Sequence, residues 1–339
     1  MVRVGIAGVG FMGWIHYLAL QKIPGAKLHA ISTRDAVKRK GDWRSIRGNF
    51  GPPGEVVDLS AVKVYESIAE LVADPQIDLV DLCLPSDQHA PAAIRALEAG
   101  KHVLVEKPIA LTLQDADRMV AAARSANRLL MVAHVLPFFP DFGYLAKAVE
   151  SSEHGRLIAA HFRRHISPPD WSDAFADAAR TGGPAIDLHI HDAHFIRLVA
   201  GMPSAVHSVG RVVDGRVDYI ATNYHYPNGP VVSATSGACS VSGRPFTHGY
   251  EAYFENATLF YEAGLPLTVF TAEGRSEPPL AAGDPVDSFA DELGRAIEAV
   301  RTGCAPDLLA GELARDALAL CLAEQESVRT DKVVAVAKQ

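Results

Sequence analysis

Cysteine is scarce in this chain: Cys83, Cys239, Cys304 and Cys321 are the four among 339 residues. They are scattered, and none stands in a C-x-x-C pair, which excludes a zinc ribbon and a disulfide framework. They read as small buried hydrophobes in a reducing compartment. Long hydrophobic runs are missing too. No apolar stretch approaches the ~20 residues that a membrane span needs, and no signal-like segment precedes Val2. The expectation is a cytoplasmic protein with no membrane partner. There is no long basic tract, and the formal net charge is -8, which argues against a nucleic-acid partner. No internal repeat or low-complexity segment is present. What remains is the profile of an ordinary globular protein, 48% hydrophobic and 21% charged, with a length suited to two domains.

The most informative feature that is present lies at the N-terminus. An apolar, β-branched segment, Val2 to Ala7, ends in Gly8-Val-Gly10-Phe11-Met12-Gly13, and a helix-compatible stretch follows from Trp14 to Lys22. In that context Gly8 permits the tight turn, Gly10 lets a pyrophosphate approach the backbone, and Gly13 lets the helix pack on the strand. The helix N-terminus offers N–H groups and a positive dipole end to phosphates. A dinucleotide site is the reading. An ordinary strand-to-helix turn is the alternative.

Strand and helix signals alternate through residue 133. Strands are expected at Lys27–Ser32, Val62–Tyr65, Leu79–Leu84, His102–Val105 and Leu129–Ala133. Helices are expected near Ser67–Ala73, Pro91–Ala99 and Leu113–Arg124, the last capped by Thr112. Repeated β-α units imply a doubly wound parallel sheet. Gly41 to Ser60 interrupts the pattern and reads as a long loop beside the adenosine end of the site, a surface insertion or a lid.

After Val135 the pattern changes. Strand-like runs appear at Leu157–Ile166, Ala205–Val213, Val217–Tyr226, Val231–Val241, Tyr250–Glu255 and Leu267–Thr271, with turns at Asp214-Gly215 and Pro227-Asn228-Gly229. They imply a largely antiparallel sheet. Helices are expected from about Ala185, at Val286–Arg301 and from Leu309 to about Arg329. The fold class is therefore α/β: a Rossmann domain over 1–133, then an α+β domain over 134–339 that binds substrate and joins subunits.

Two constellations could carry chemistry. Glu106-Lys107-Pro108 ends the fifth strand, at the sheet edge where ligands bind. It is either a solvated ion pair before a turn or a lysine that exchanges a proton with a substrate oxygen. The second is Thr181-Gly-Gly-Pro-Ala-Ile-Asp187-Leu-His189-Ile-His191-Asp192-Ala-His194. A helix starting near Pro184 puts Asp187, His191 and His194 on one face, with His189 and Asp192 pointing elsewhere. A carboxylate four residues from an imidazole orients its tautomer. Histidines hydrogen-bonded in a domain interface are the structural alternative. No metal is expected, because H-x-H places its ligands on different helix faces.

Four matches in order, Gly8-x-Gly10-x-x-Gly13, Pro85-Ser86-x-x-His89, Glu106-Lys107-Pro108 and Gly182-Gly183 with Asp187-x-x-x-His191, make the chain resemble the Gfo/Idh/MocA oxidoreductases, the family of glucose–fructose oxidoreductase and inositol 2-dehydrogenase. The resemblance spans essentially the whole length. It implies a Rossmann domain followed by an open-faced sheet domain, and a dimer or tetramer joined through that sheet. It implies that Lys107 is catalytic, in a Lys–Pro peptide that is often cis, with Asp187 and His191 as partners. Gly8, Gly10, Phe11, Met12, Gly13, Thr33, Arg34, Pro85, Ser86, His89, Glu106 and Lys107 are then the cofactor residues. His134, Trp171 and His194 are placed at the substrate. The chain departs from the family pattern D-x-G-x-H-x-x-D by His189 and His194, and carries His134 where many members have Asn or Arg.

The implied activity is hydride transfer between a nicotinamide and a sugar, cyclitol or related polyol. A non-catalytic cofactor-binding regulator and a redox-neutral enzyme with a retained cofactor are the alternatives. The second strand ends Ser32-Thr33-Arg34, with Lys38, Arg39 and Lys40 close behind. A hydroxyl and an arginine suit the 2′-phosphate of NADP, which is favoured over NAD. The contrary reading gives the ribose to Asp35. Strand Val231–Val241, with Ala234, Ser236, Ala238 and Ser240, is the expected flat surface between subunits.

Overall fold

The computed structural model describes residues 1–168, 177–280 and 283–336. These divide into two compact units: Met1–Phe138 with Ala282–Arg315, and Phe139–Ala281 with Asp316–Gln339. The first unit is thus discontinuous. Residues 282–315 pack with it, whereas the sequence pattern grouped them with the second domain.

The first unit carries β1 (Val2–Ala7), β2 (Ala26–Ser32), β3 (Lys63–Tyr65), β4 (Leu79–Leu82), β5 (His102–Glu106) and β6 (Leu130–Ala133), with helices α1 (Phe11–Gln21), α2 (Ile68–Ala73), α3 (His89–Glu98) and α4 (Leu113–Ala126) between them. The six strands are parallel in the order β3-β2-β1-β4-β5-β6. That is the order of a Rossmann sheet. Every residue of β4 and β6 is buried, as strands covered on both faces must be. Ser67 and Glu70 form a capping box at α2, and Thr112 caps α4 by accepting the Asp115 N–H.

The 41–60 segment is not a loose insertion. Trp43 is 1% exposed and stands edge-on to Trp14 and Tyr17, with its indole N–H on the Lys38 carbonyl. Phe50 stacks on Phe289 and meets Phe11 edge-on. Gly48 lies so close to the Phe11 ring that a Cβ there would overlap it. The segment is folded back on α1 by its aromatic residues, which turn analysis alone does not reveal.

The second unit opens with α5 (Pro140–Ser151), a helix that the sequence pattern did not show, and β7 (Leu157–His165). Then come α6 (Ala178–Thr181), α7 (Pro184–Asp187), α8 (Ile190–Ala200) and strands β8 (Ala205–Val213), β9 (Arg216–His225), β10 (Val231–Gly237), β11 (Thr247–Phe254), β12 (Thr258–Glu262), β13 (Thr268–Thr271) and β14 (Gly274–Ser276). The helix α9 (Pro285–Thr302) returns to the first unit and packs on α1. The helix α10 (Gly311–Thr330) begins in the first unit and continues in the second, and β15 (Val334–Ala335) closes the chain. The nine strands form one sheet, β14-β13-β12-β11-β7-β10-β9-β8-β15, antiparallel except for β7 beside β10. Asp214 and Gly215 both have positive φ, as a two-residue hairpin turn requires.

One face of this sheet is packed: Phe162, Tyr250 and Tyr261 surround Phe142 of α5 and Phe195 of α8. The small residues expected on the open face of β10 lie on this packed one. Ala234 and Ser236 are each 1% exposed, while Val231 is 73% exposed. Side chains alternate along a strand, and a run of small residues does not reveal which alternate set faces inward. The strand also stops at Gly237, short of Val241. Among the described residues no helix is long and apolar enough to cross a membrane.

Candidate active site

The glycine loop joins β1 to α1. Gly8 has φ +98°, and a Cβ on it would lie 2.4 Å from the Cys83 carbonyl oxygen. A Cβ on Gly13 would lie 2.1 Å from the Gly8 carbonyl oxygen, so the first turn of α1 rests directly on the strand end. Gly10 differs: it has ordinary negative φ, and a Cβ there would meet nothing within 4 Å. The protein itself therefore leaves space over Gly10, where the loop amides and the α1 N-terminus face outward. This fits a pyrophosphate. The Lys38 ammonium donates to the Val9 carbonyl at 2.9 Å, which adds a cation to this loop.

At the end of β2, Thr33 is half-buried and Arg34 exposed. The Asp35 carboxylate accepts the backbone N–H groups of Val37 and Lys38 at 2.8 and 3.2 Å, which hold its pKa below the usual carboxylate range. Arg39 donates to the Thr33 and Arg34 carbonyls, both at 3.0 Å.

The turns after β4 and β5 lie on the same sheet edge. Pro85 is exposed and Ser86 half-buried. His89 is fully buried between the Pro108 and Leu84 carbonyls, 2.8 Å from each. Burial lowers its pKa despite these acceptors. It clasps the β4 turn to the β5 turn and presents no surface. Glu106 is buried, with one oxygen accepting the Lys107 N–H at 3.1 Å. Lys107 itself is half-buried, and its peptide bond to Pro108 is cis. His134, just past β6, is 1% exposed.

In the second unit the expected single helix is two. The helix α7 ends at Asp187 and α8 starts at Ile190, and the His189 N–H reaches back five residues to the Pro184 carbonyl at 3.1 Å. That turn is wider than an α-helical one. Asp187 and His191 flank the break, both half-buried, while His194 is 1% exposed. The neighbours point inward. Asp192 forms a buried bidentate pair with Arg164 at 2.8 and 3.0 Å. His189, where the family pattern has glycine, is fully buried 2.8 Å from Glu324. Burial works against its charged form, but Glu324 raises its pKa above the usual value. Trp171 lies outside the described residues. The structure thus gathers the glycine loop, Thr33, Arg34, Ser86 and Lys107 on one edge of the first sheet, and Asp187 and His191 at one helical corner of the second unit.

A sequence model described as an oxidoreductase family with an NAD-binding Rossmann fold matches residues 2–134, and the model of that family's C-terminal domain matches 142–260. The chain belongs to the Gfo/Idh/MocA oxidoreductases. Myo-inositol 2-dehydrogenase of Thermotoga maritima is 28% identical, covering 98% of this chain and 100% of its own length. The 1,5-anhydro-D-fructose reductase of Ensifer adhaerens is 31% identical, covering 68% of this chain and 72% of its own. The structure of levoglucosan dehydrogenase in complex with NADH and levoglucosan matches with TM-score 0.85 at 22% identity, covering 99% of this chain and 100% of that one; it shares the fold. Two residues beside these turns escaped the sequence pattern. Lys38 was visible only as part of a basic run, and His16 only as a histidine three residues past Gly13.

The glycine geometry separates binding from folding. Gly10→Ala should keep wild-type stability and weaken NADH binding at least about tenfold, because its Cβ obstructs only a bound pyrophosphate. Gly13→Ala should lower the melting temperature, since helix and strand must move apart. Calorimetric NADH titration and thermal denaturation check both. A Gly10→Ala protein that binds NADH normally contradicts the assignment.

Proposed function

We propose that this oxidoreductase transfers a hydride between a nicotinamide cofactor and a CH–OH carbon of a sugar, cyclitol or related polyol. The observation that carries the reading is Lys107: a half-buried amine at the carboxyl end of β5, with its turn held by Glu106 and His89. The names of the relatives support the substrate class, since they concern myo-inositol and an anhydro-sugar. Bound nicotinamide supplies the hydride acceptor or donor. The chain's residues manage the proton and the geometry. In oxidation, Lys107 donates a hydrogen bond to the reacting oxygen, and the family resemblance assigns uptake of the hydroxyl proton to His191 with Asp187 orienting its ring. His134 and His194, expected at the substrate, are both buried, and Trp171 lies outside the described residues. Lys107→Met should abolish turnover and leave NADH affinity within about threefold. Absorbance at 340 nm with a panel of sugars and cyclitols tests this. Near-normal turnover in the variant contradicts it.

We further infer a preference for NADP over NAD. Arg34 is exposed, and its guanidinium has no partner among the described residues. Asp35 holds the backbone N–H groups of Val37 and Lys38 on its Oδ1, and the exposed cation at this strand end is Arg34. An arginine–phosphate contact is worth roughly 1.5–3 kcal/mol. Arg34→Ala should weaken NADPH binding by about one to two orders of magnitude and leave NADH binding nearly unchanged. Equal losses for both cofactors in calorimetry refute this role.

The open face of the nine-stranded sheet carries Val209, Val231, Tyr253 and Phe270, between 40% and 73% exposed. We assign this face to a homodimer or homotetramer contact. Light scattering at micromolar concentration should give a multiple of the chain mass. A monomer contradicts it.

A further inference from the structure

Beneath the Lys107 turn lies a buried cluster of ionisable side chains that neither cofactor binding nor proton transfer calls for. His16, in the second turn of α1, is fully buried. Its Nδ1 stands 2.9 and 3.1 Å from the two Asp81 carboxylate oxygens and 3.4 Å from Cys83 Sγ. Its Nε2 stands 3.0 Å from Glu106 Oε1. Asp81 is on β4 and 1% exposed. The other oxygen of Glu106 accepts the backbone N–H of Lys107. Glu292 of α9 completes the cluster, fully buried, with neither oxygen hydrogen-bonded among the described residues.

The charges have a definite pattern. Burial disfavours a charged His16, but Asp81 and Cys83 outweigh it, and its pKa stands well above the usual histidine value. Burial and Asp81 push the Cys83 thiol up to about 12. Burial and the neighbouring Glu106 push Glu292 well above the usual carboxyl range. The Cys83 thiol is therefore neutral near pH 7, and Glu292 is shifted toward its neutral form. His16, shifted toward its imidazolium form, faces both Asp81 and Glu106. Nδ1 is hydrogen-bonded to Asp81, while Nε2 faces Glu106 in a close ion-pair contact that lacks hydrogen-bond geometry.

We propose that His16 is a positioning residue for Lys107: it holds the Glu106 side chain folded into the core, and Glu106 in turn fixes the backbone from which Lys107 projects. The proposal rests on the reading of Lys107 as catalytic. An apolar residue at position 16 would fill the same space, but it would leave Glu106 buried without its counter-charge. Glu106 would then turn outward, and the Lys107 amide would lose its fixed acceptor. A misplacement on the order of 1 Å at a reacting group costs roughly 10²-fold in rate.

The test combines turnover with a readout that needs no substrate. Lysines are reductively 13C-methylated, and the Lys107 resonance is assigned by its loss in Lys107→Met. In His16→Leu that resonance should move, NADH affinity should stay within about threefold, and kcat on the sugar and cyclitol panel should fall roughly 10²-fold with a smaller change in KM. His29→Leu, which breaks the separate, partly buried pair with Asp74, should leave the resonance in place. His16→Gln and Glu106→Gln give the same comparison with less change of volume if His16→Leu fails to fold, and Gln at 16 should recover part of kcat. An unmoved Lys107 resonance with unchanged kcat in the folded variants overturns the proposal. So does stoichiometric metal in the purified wild-type protein, because a metal at His16, Asp81 and Cys83 would give the ring another purpose. Activity surviving in Lys107→Met defeats the catalytic reading instead, and the resonance distinguishes the two failures.

Discussion

At the start of α1 two backbone segments approach so closely that no side chain fits between them. The Gly8 carbonyl occupies the place of a Gly13 Cβ, and the Cys83 carbonyl occupies that of a Gly8 Cβ. This contact sets the direction of α1, brings its unpaired N–H groups to the carboxyl edge of the sheet, and puts the end of β4 beside the loop. The placement of Gly10, Lys38 and Thr33 follows from it. So does the burial of His16, which lies one turn further along the helix on the side turned to β4. A fold that binds phosphate with backbone amides needs this closeness, because a Cβ at either position would push the helix N-terminus away from the ligand.

The second organising feature is the placement of buried charge. Each unit contains a histidine that faces a carboxylate out of solvent: His16 with Asp81 and Glu106 in the first, His189 with Glu324 in the second. Arg164 with Asp192 adds a third buried pair. Such pairs contribute little net stability, because desolvation offsets attraction, but removing one partner is costly. Each includes a residue close in sequence to one proposed for the site. Glu106 precedes Lys107, His189 sits at the break between Asp187 and His191, and Asp192 follows His191. Lys107, Asp187 and His191, proposed to act on substrate, are half-buried, while Glu106, His189 and Asp192 near them in sequence are pinned in the core.

The glycine loop, the alternation of strand and helix and the Asp214-Gly215 turn were legible because each depends on local chemistry. A tight turn demands glycine, and a parallel strand covered on both faces demands an apolar run. Long-range packing was not legible. The helix Pro285–Thr302 has an ordinary amphipathic pattern that does not say which unit it covers. The register of β10 was ambiguous because Ala, Ser and Thr occupy both alternate sets. The anchoring of the 41–60 segment rests on Trp43 reaching Trp14 and Tyr17 across the chain. The interruption at Leu188-His189 was hidden because both residues keep helical backbone angles, and only the long hydrogen bond to Pro184 marks the break. The helix Pro140–Ser151 was missed although Phe142, Leu145 and Ala148 follow helical spacing; Gly143 and the preceding aromatic run mask it. Among the expected site residues, the sequence pattern did not separate those that meet a ligand from those that hold the site. His89 and Glu106 are buried supports.

A crystal structure of the protein with NADPH is the most direct test of the account. The account predicts electron density for the pyrophosphate over Gly10 at the α1 N-terminus, the 2′-phosphate against Arg34, and the nicotinamide ring with its C4 facing the Lys107 amine. Density with the pyrophosphate away from Gly10, or with Lys107 directed away from the nicotinamide, would contradict it.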